Sequence, residues 1–193
     1  RALLSHVGDE DALAFRRDER EFLNVTLAEL PNGDFAFTTL RNFVLSSWAL
    51  LMWQRLAKSS DEQLSAIAGK AVKEARYHRE HAADWVVRLG DGTDESTRRM
   101  ARALERLWPY CAELFDADET DREAAAQGLG PAWSALEEAW RADVSAVLDE
   151  AGMALPADSA FRSDGKRGRH SEHMGRLLAE MQYLHRAFPG GVW

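Results

Sequence analysis

The sequence predicts an all-α protein built as an up-and-down bundle of antiparallel helices. Apolar residues recur at spacings of three and four along most of the 193 residues, which is the period of an amphipathic helix. Capping and turn residues separate these stretches, and no alternating strand pattern competes with them. The connections are short except for the last, and short connections join antiparallel neighbours in helical bundles.

The bulk composition bounds the kinds of protein that this chain can be. With 193 residues, of which 46% are hydrophobic, it can bury a sizeable core, and we expect a single helical domain over residues 1–193. A net charge of -8 disfavours binding to nucleic acid or an anionic membrane, because the electrostatic field repels phosphate groups. The single cysteine, Cys111, cannot form an internal disulfide, and the sequence shows neither a signal peptide nor a membrane-spanning apolar run. We therefore expect a cytoplasmic protein with no nucleic-acid or membrane partner.

The first two predicted helices are separated by a turn. Apolar residues among charged ones predict a helix over residues 11–30, and the turn-forming residues that follow it are Pro31, Asn32 and Gly33. Asp34 then caps a second helix over residues 35–58. The core-facing stripe of this helix consists of Phe37, Leu40, Val44, Trp48, Leu51 and Met52. Its remaining faces also carry large apolar side chains, so we expect other helices or a subunit to cover more than one side of it; they are Phe35, Phe43, Leu50 and Trp53.

Capping and turn residues bound four further helices. They run from Ser60 or Asp61 to Leu89, from Thr93 or Asp94 to near Asp116, from Gly130 and Pro131 to Ala151 and Gly152, and from about Arg169 to Phe188. Gly90 lacks a Cβ and is expected to form a left-handed cap after the third helix. Pro109 is expected to kink the fourth helix because it removes one backbone donor. Residues 152–168 are expected to form a loop.

The first eight residues, "RALLSHVG", resemble the end of a helix that Gly8 stops. No capping residue precedes them, so the expected helix begins upstream of Arg1. On this interpretation, a segment upstream of Arg1 is missing.

The stretch "KEARYHREHAADW", residues 73–85, is a candidate metal site on the third helix. Glu74 and His78 lie on one stripe beside its apolar face, so His78 is expected to look inward with Glu74 at the edge. Di-iron bundles hold their metals with such pairs, but they use a Glu and a His spaced by three, and no Glu of this chain has a His three residues later. Helix 35–58 contains no Asp, Glu, His or Cys. The ligand set is incomplete, which favours a partly buried polar pair without metal.

A buried Glu74 without metal would need a cationic partner, since an unpaired carboxylate in an apolar setting costs several kcal/mol. The predicted hairpin around Ser59 and Ser60 sets Arg41 opposite His78, one helical turn from Glu74. We therefore expect the Arg41 guanidinium to occupy the place of a metal and to bind Glu74 beside His78. The alternative is that Glu74 faces solvent or pairs with Lys70.

The last helix offers a second set of possible ligands in "GRHSEHMGRLLAEMQYLHR", residues 168–186. His173 and Glu180 lie on one side, whereas His185 lies with the apolar residues on the other. A zinc site needs three or four donors that converge on one point, so ordinary helix packing is favoured for these residues and for His170. The preceding "SDGKRGRH" is glycine-rich and basic but lacks the order of a phosphate-binding P-loop, and we interpret it as a mobile linker.

Four separated blocks of the sequence resemble one known protein family. They are "GDEDALAFRRDEREFLNVTLAELPNGDFAFTTLRNF", "AVKEARYHREHAADWVVRLGDGTDESTRRM", "ELFDADETD" and "LLAEMQYLHRAFPGGVW". Together they are similar to the structural C subunits of bacterial phenylacetyl-CoA epoxidases, in the same order and along essentially the whole chain.

The resemblance implies a ferritin-like bundle that has lost its own metal and has no catalytic role. It also implies a further helical region upstream of Arg1 that contains one helix of the bundle, so that this chain lacks its N-terminal bundle helix. Such a chain would pair with and stabilise a related catalytic subunit, whose di-iron centre epoxidises the aromatic ring of phenylacetyl-CoA in aerobic phenylacetate degradation. A further small subunit and a reductase would complete the complex. Glu74, His78 and Arg41 would then be the polar remnant of a former metal face.

Two other functions stay open at the level of sequence. One is a di-iron oxidase that acts on its own, and the other is a homodimeric helical scaffold with no role in oxygenation. Metal analysis of the purified chain separates the first from a structural subunit. Co-purification with a di-iron subunit separates the second.

Overall fold

The computed structural model describes residues 10–191, and all regular secondary structure in that range is helical. One isolated bridge between Asp164 and Arg169 is the only β-type pairing among these residues. The predicted all-α class is therefore confirmed. The chain divides into two compact units, which we call the central unit (Asn32–Arg162) and the terminal unit (Arg1–Pro31 with Ser163–Trp193). The segment "RALLSHVG" lies outside the described residues.

Eight α-helices lie within residues 10–191. They are α1 (Glu10–Phe15), α2 (Thr26–Glu29), α3 (Phe35–Leu56), α4 (Glu62–Gly90), α5 (Asp94–Leu107), α6 (Glu119–Ala126), α7 (Glu137–Glu150) and α8 (Glu172–Ala187). Four short 3-10 segments accompany them at Glu19–Glu21, Trp108–Phe115, Trp133–Leu136 and Gly165–Arg167. No helix among the described residues has both the length and the apolar character needed to cross a membrane.

The central unit is organised around α3, which packs against α4, α5 and α7. Because three helices contact it, more than one of its sides is covered, as the apolar residues on its several faces predict. Phe43 is fully buried and Trp53 is half-buried. Phe35, at the first position of α3, is 57% exposed and meets Trp85 edge-on, with the ring centroids 5.1 Å apart.

Side-chain caps fix the starts of the long helices at the predicted residues. The Asp34 carboxylate accepts a hydrogen bond from the Phe37 N–H at 3.0 Å, and the Asp61 carboxylate accepts one from the Leu64 N–H at 2.8 Å. Each cap satisfies one of the backbone donors that a helix leaves unpaired in its first turn. Thr93 caps α5 in the same way, and so all three predicted N-caps are confirmed.

Gly90 does not form the predicted left-handed cap. It is the last residue of α4, and it is absent from the glycines with positive φ. A Cβ built at Gly90 would lie 2.6 Å from the carbonyl oxygen of Ala151, so the glycine serves a close helix approach. The left-handed glycine is Gly152 (φ 70°) after α7, where the N–H of Met153 donates to the carbonyl of Leu148 at 2.8 Å and ends the helix.

The chain departs from the predicted helix bounds on either side of Pro109. The α-helix ends at Leu107 and continues as a 3-10 segment to Phe115, because a proline at its second position cannot donate to the preceding turn. Helix α6 follows where no helix was predicted, and a reciprocal pair of hydrogen bonds between Asp118 and Asp121 caps it. The fifth predicted helix begins as a 3-10 segment, and its α-helical part starts only at Glu137.

In the terminal unit, the prediction of a continuous helix over residues 11–30 is wrong. The segment forms α1, a 3-10 turn and α2, with extended residues between them. Backbone carbonyls that a helix would use are taken by side chains from α8 and from a residue just before it. The carbonyl of Arg17 accepts from Gln182 at 2.8 Å, and that of Phe22 accepts from His170 at 2.9 Å. These tertiary hydrogen bonds replace the bonds of a helix. The spacing of the apolar residues therefore predicted a helix where the chain is partly extended.

Candidate functional site

The predicted polar pair on α4 faces water. Glu74 and His78 have exposed side-chain fractions of 79% and 60%, and the Glu74 carboxylate lies 3.6 Å from the imidazole of His78. The inward orientation expected for His78 is therefore wrong. A pair spaced by four on an exposed helix contributes only a few tenths of a kcal/mol. At this exposure, Glu74 has no need of a buried cationic partner.

Arg41, the third member of the predicted cluster, contacts the start of its own unit. Its guanidinium donates to the side-chain oxygen of Asn32 and lies 5.8 Å above the ring of Phe37. Partial burial lowers the pKa of this guanidinium below its ordinary value. The Glu74 carboxylate lies beside the His78 imidazole, whereas Arg41 contacts Asn32 and Phe37.

The histidines and Glu180 at the C-terminal end of the chain do not form a common site. His185 stacks on Phe15 with a centroid distance of 4.1 Å, whereas His173 lies near Glu172 at the start of α8. Glu180 is exposed. The helix-packing interpretation is confirmed for His185, whereas Glu180 faces solvent. His170 differs from all of them because its side chain is fully buried.

His170 forms a buried polar network with Glu29, which no pattern in the sequence indicated. Their side chains are 0% and 1% exposed, and the Nδ1 atom of His170 lies 2.7 Å from the Oε2 atom of Glu29. The other carboxylate oxygen accepts from the backbone N–H of Ser171 at 2.6 Å, and the Asn24 amide donates to Oε2 at 3.2 Å. The network joins the end of α2 to the start of α8.

The hydrogen-bond partners fix where one proton of the His170 ring lies. The Phe22 carbonyl can only accept, so Nε2 of His170 carries a hydrogen and donates it at 2.9 Å. The other ring nitrogen, Nδ1, lies 2.7 Å from the Oε2 atom of Glu29. A buried pair that is satisfied on every side stabilises one arrangement of the chain, and removal of either partner leaves the other unpaired.

The loop between residues 163 and 170 is held by hydrogen bonds, in contrast to the predicted mobile linker. The N–H of Gly165 donates to the hydroxyl of Thr26 at 3.2 Å, and a Cβ at Gly165 would lie 2.5 Å from the carbonyl oxygen of Asn24. Gly168 has a φ of 74° and packs equally closely against the Arg20 carbonyl. Gly165 is required because a side chain would not fit there. Gly168 is required for the same reason and also because of its left-handed backbone conformation.

The central unit contains a cavity of about 290 Å³ beside Trp108 and Trp140. Arg141 lines it and pairs with Glu137 at 2.9 Å and with Asp158 at 2.8 Å, so its guanidinium is held by two carboxylates. Cys111 also lines the cavity, and burial raises the pKa of its thiol to about 12. The thiol is therefore protonated near neutral pH, which makes it a poor nucleophile or metal ligand.

Within residues 10–191, the side chains do not bring three or more His, Cys, Asp or Glu residues together in a group that could hold a metal ion. Glu74 and His78 are a pair in water, and Glu29 and His170 bind each other and nearby backbone groups. A di-iron site in a helical bundle also takes ligands from the neighbouring core helices. Helix α3 cannot supply any, because its sequence has no Asp, Glu, His or Cys.

Comparison with known proteins gives two matches that run along the chain. Residues 2–193 match the family described as phenylacetic acid catabolic protein. The chain is also 48% identical over 192 residues to the C subunit of 1,2-phenylacetyl-CoA epoxidase from Escherichia coli (strain K12). That match covers 100% of this chain and 77% of the relative.

Proposed function

This chain belongs to the phenylacetic acid catabolic protein family, and on that basis we propose that it is a non-catalytic structural subunit of a multicomponent phenylacetyl-CoA epoxidase. In this role it pairs with a related di-iron catalytic subunit and stabilises it during aerobic phenylacetate degradation. A further small subunit and a reductase are the other partners in the proposal. A ferritin-like arrangement of the helices and a cytoplasmic location belong to the same proposal.

The observation that carries the proposal is the similarity to a protein named as one subunit of an epoxidase. An identity of 48% along the whole of this chain is more specific than any short motif within it. A relative that is a subunit works with other subunits, so a partner of the same complex is the natural binding partner here.

The placement of carboxylates and imidazoles supports the non-catalytic part of the proposal. Glu74 and His78 lie in water on α4, and Glu29 and His170 are engaged in joining two segments of the terminal unit. These residues have structural or solvated roles, which fits a chain that supports a reaction centre carried by another subunit.

Exposed apolar side chains support the existence of a partner. On the central unit, Phe35, Ile67 and Tyr77 are 57%, 60% and 64% exposed. Helix α8 and the residue after it add a stripe at heptad spacing, and its members are Leu177, Met181, Leu184 and Phe188. Apolar and aromatic groups of this kind are enriched where subunits meet.

Co-expression with the di-iron subunit tests the proposal. We expect the two chains to elute together in size-exclusion chromatography, and we expect iron to follow the partner when the chains are separated. Iron bound by this chain alone would instead indicate an oxidase in its own right. A stable homodimer that does not elute with the di-iron subunit would indicate a scaffold unrelated to oxygenation.

A further inference from the structure

The cavity beside Trp108 and Trp140 is lined by both aromatic and cationic side chains. It has a volume of about 290 Å³, and its lining comes from the 3-10 segment Trp108–Phe115, from residues 134–141 and from residues 158–162. Trp108, Phe115 and Trp140 are its largest apolar lining residues, and all three are buried. An aromatic lining with a few polar groups is typical of a binding site for a small molecule.

The guanidinium of Arg162 lines this cavity and keeps N–H donors for a ligand. Its Nη1 atom donates to the backbone carbonyls of Ser159 and Phe161, at 2.6 and 2.8 Å. A guanidinium has five N–H donors, so these two bonds leave the Nε–H and the Nη2 group for other acceptors. Nε and Nη2 form a planar fork that matches the two oxygens of a carboxylate.

Contacts of the segment 158–162 hold Arg162 at the cavity. The Nη2 atom of Arg141 donates to the Asp158 carboxylate at 2.8 Å. The ring of Phe161 meets the ring of Tyr110 edge-on, with the centroids 5.0 Å apart. The backbone on either side of Arg162 is therefore tied to the rest of the central unit, so little conformational entropy would be lost there when a ligand binds.

The charges around the cavity permit an anionic ligand at Arg162. Glu137 and Asp158 also line it, but both bind the Arg141 guanidinium, and their side chains are 39% and 72% exposed. A third carboxylate, Asp116, is exposed as well. Water screens exposed carboxylates, so their repulsion of an anion is weak. A bidentate contact with a guanidinium is short and strong by comparison.

We propose that this cavity binds a small aromatic carboxylate, with the carboxylate group on Arg162 and the ring against Trp108 and Phe115. A cavity of about 150 Å³ can hold one benzene molecule, so a volume of about 290 Å³ has room for a ring with a short acidic chain. The inference rests on the lining of the cavity and not on the proposed function. A bound ligand would link residues 158–162 to the 3-10 segment and would stabilise the folded chain.

Titration calorimetry of the full chain at fixed ionic strength tests the proposal with three probes. Phenylacetate has both a ring and a carboxylate, and it is the acid that the family's description names. Phenylacetamide keeps the ring but has no charge. Acetate keeps the charge but has no ring.

Three variants separate the guanidinium fork from its charge. Arg162→Gln removes both, whereas Arg162→Lys keeps the charge without the planar fork. Arg122→Gln is the matched control, because Arg122 also donates to a backbone carbonyl, that of Ala117, and is not part of the cavity lining. Circular dichroism and the melting temperature without ligand check that each variant is folded.

We expect Arg162→Gln to bind phenylacetate about tenfold more weakly than the wild type, because a charge-assisted bidentate contact is lost. Arg122→Gln should bind like the wild type, and Arg162→Lys should lie between the two. Phenylacetamide should bind the wild type and Arg162→Gln with the same weak affinity, since it has no carboxylate for Arg162 to recognise. Phenylacetate should also raise the melting temperature of the wild type more than that of Arg162→Gln.

Equal binding of phenylacetate by the wild type and Arg162→Gln would overturn the proposal. Acetate or phenylacetamide that binds the wild type as tightly as phenylacetate would also overturn it, because the ring or the charge would then contribute nothing. Elution with the di-iron subunit is measured on the same preparations. If the chain elutes with that subunit but does not bind phenylacetate, this inference fails while the proposed function stands.

Discussion

The two units of this chain are stabilised in different ways. In the central unit, the largest fully buried side chains are apolar, and they are led by Trp140 and Phe43. In the described part of the terminal unit, four buried apolar residues stand beside three buried polar ones, which are Thr26, Glu29 and Gln182. An apolar core distributes its stabilisation over many contacts, whereas a buried polar network depends on each partner. The terminal unit should therefore be sensitive to small chemical changes, and the central unit to changes in volume.

The largest expected effect comes from removal of Trp140 in the central unit. This side chain packs against Trp108 and Phe115, with centroid distances of 5.7 and 5.2 Å, and its Nε1–H donates to the Val44 carbonyl at 2.9 Å. Trp140→Ala should lower the free energy of unfolding by about 5 kcal/mol, because it leaves a large cavity and removes the buried hydrogen bond to the Val44 carbonyl. Urea unfolding followed by circular dichroism measures the change. A loss below about 1 kcal/mol would show that this core is not organised around Trp140.

The next effect tests the polar network of the terminal unit. Glu29→Ala should cost about 3 kcal/mol, since the His170 ring and the Ser171 N–H both lose a buried partner. Hydrogen exchange should speed up in α8 and remain unchanged in α3. The double variant Glu29→Ala/His170→Ala should cost less than the sum of the two single changes. Additive costs would mean that the contact between Glu29 and His170 is not a coupled pair.

Cys111 links stability of the central unit to alkaline pH. Burial raises the pKa of its thiol from 9.0 to about 12, so the folded state holds the proton more tightly than the unfolded state. The protonated thiol therefore contributes to the free energy of unfolding in full below pH 9, and this contribution is lost as the pH rises from 9 towards 12. At a pH of about 10 the loss should be about 1.4 kcal/mol relative to neutral pH. Cys111→Ala removes this contribution, and identical pH profiles for the variant and the wild type would contradict it.

The smallest expected effect is at the partly buried ion pair between α4 and α7. The guanidinium of Arg79 contacts both carboxylate oxygens of Asp143, and the side chains are 21% and 33% exposed. Arg79→Ala should cost about 1 kcal/mol or less, because solvent screens the pair. Unfolding at low and high salt checks this: most of the loss should disappear at high salt if the pair acts through charge. A loss in the free energy of unfolding several times larger would show that this ion pair contributes as much to the stability of the central unit as its apolar core contacts do.

Sequence reasoning succeeded where the signal is local and failed where the partners are distant in the sequence. In the central unit, the N-caps Asp34, Asp61 and Thr93 lie where the local pattern placed them, because capping depends on residues three positions apart. The predicted helix over residues 11–30 was wrong, since its carbonyls are used by Gln182 and His170, which lie 165 and 148 positions away. Local periodicity carries no information about such partners.

Candidate site residues show the same limit. The stripe that includes Glu74 and His78 was identified correctly as a helix face, but its exposure depends on which neighbouring helices cover α4. The pairing of Glu29 with His170 joins positions 141 residues apart, and neither residue belongs to a recognisable short motif. Gly90 was recognised as a helix end, whereas its close approach to Ala151 is a property of packing alone.

Reconstitution of epoxidase activity tests whether this chain is a non-catalytic structural subunit. The di-iron subunit with its small subunit and reductase is assayed on phenylacetyl-CoA, alone and with this chain added, and the iron content of each purified chain is measured in parallel. We predict little activity and poor stability of the di-iron subunit alone, full activity when this chain is present, and no iron in this chain. Full activity in its absence, or iron bound stoichiometrically by this chain, would contradict the account.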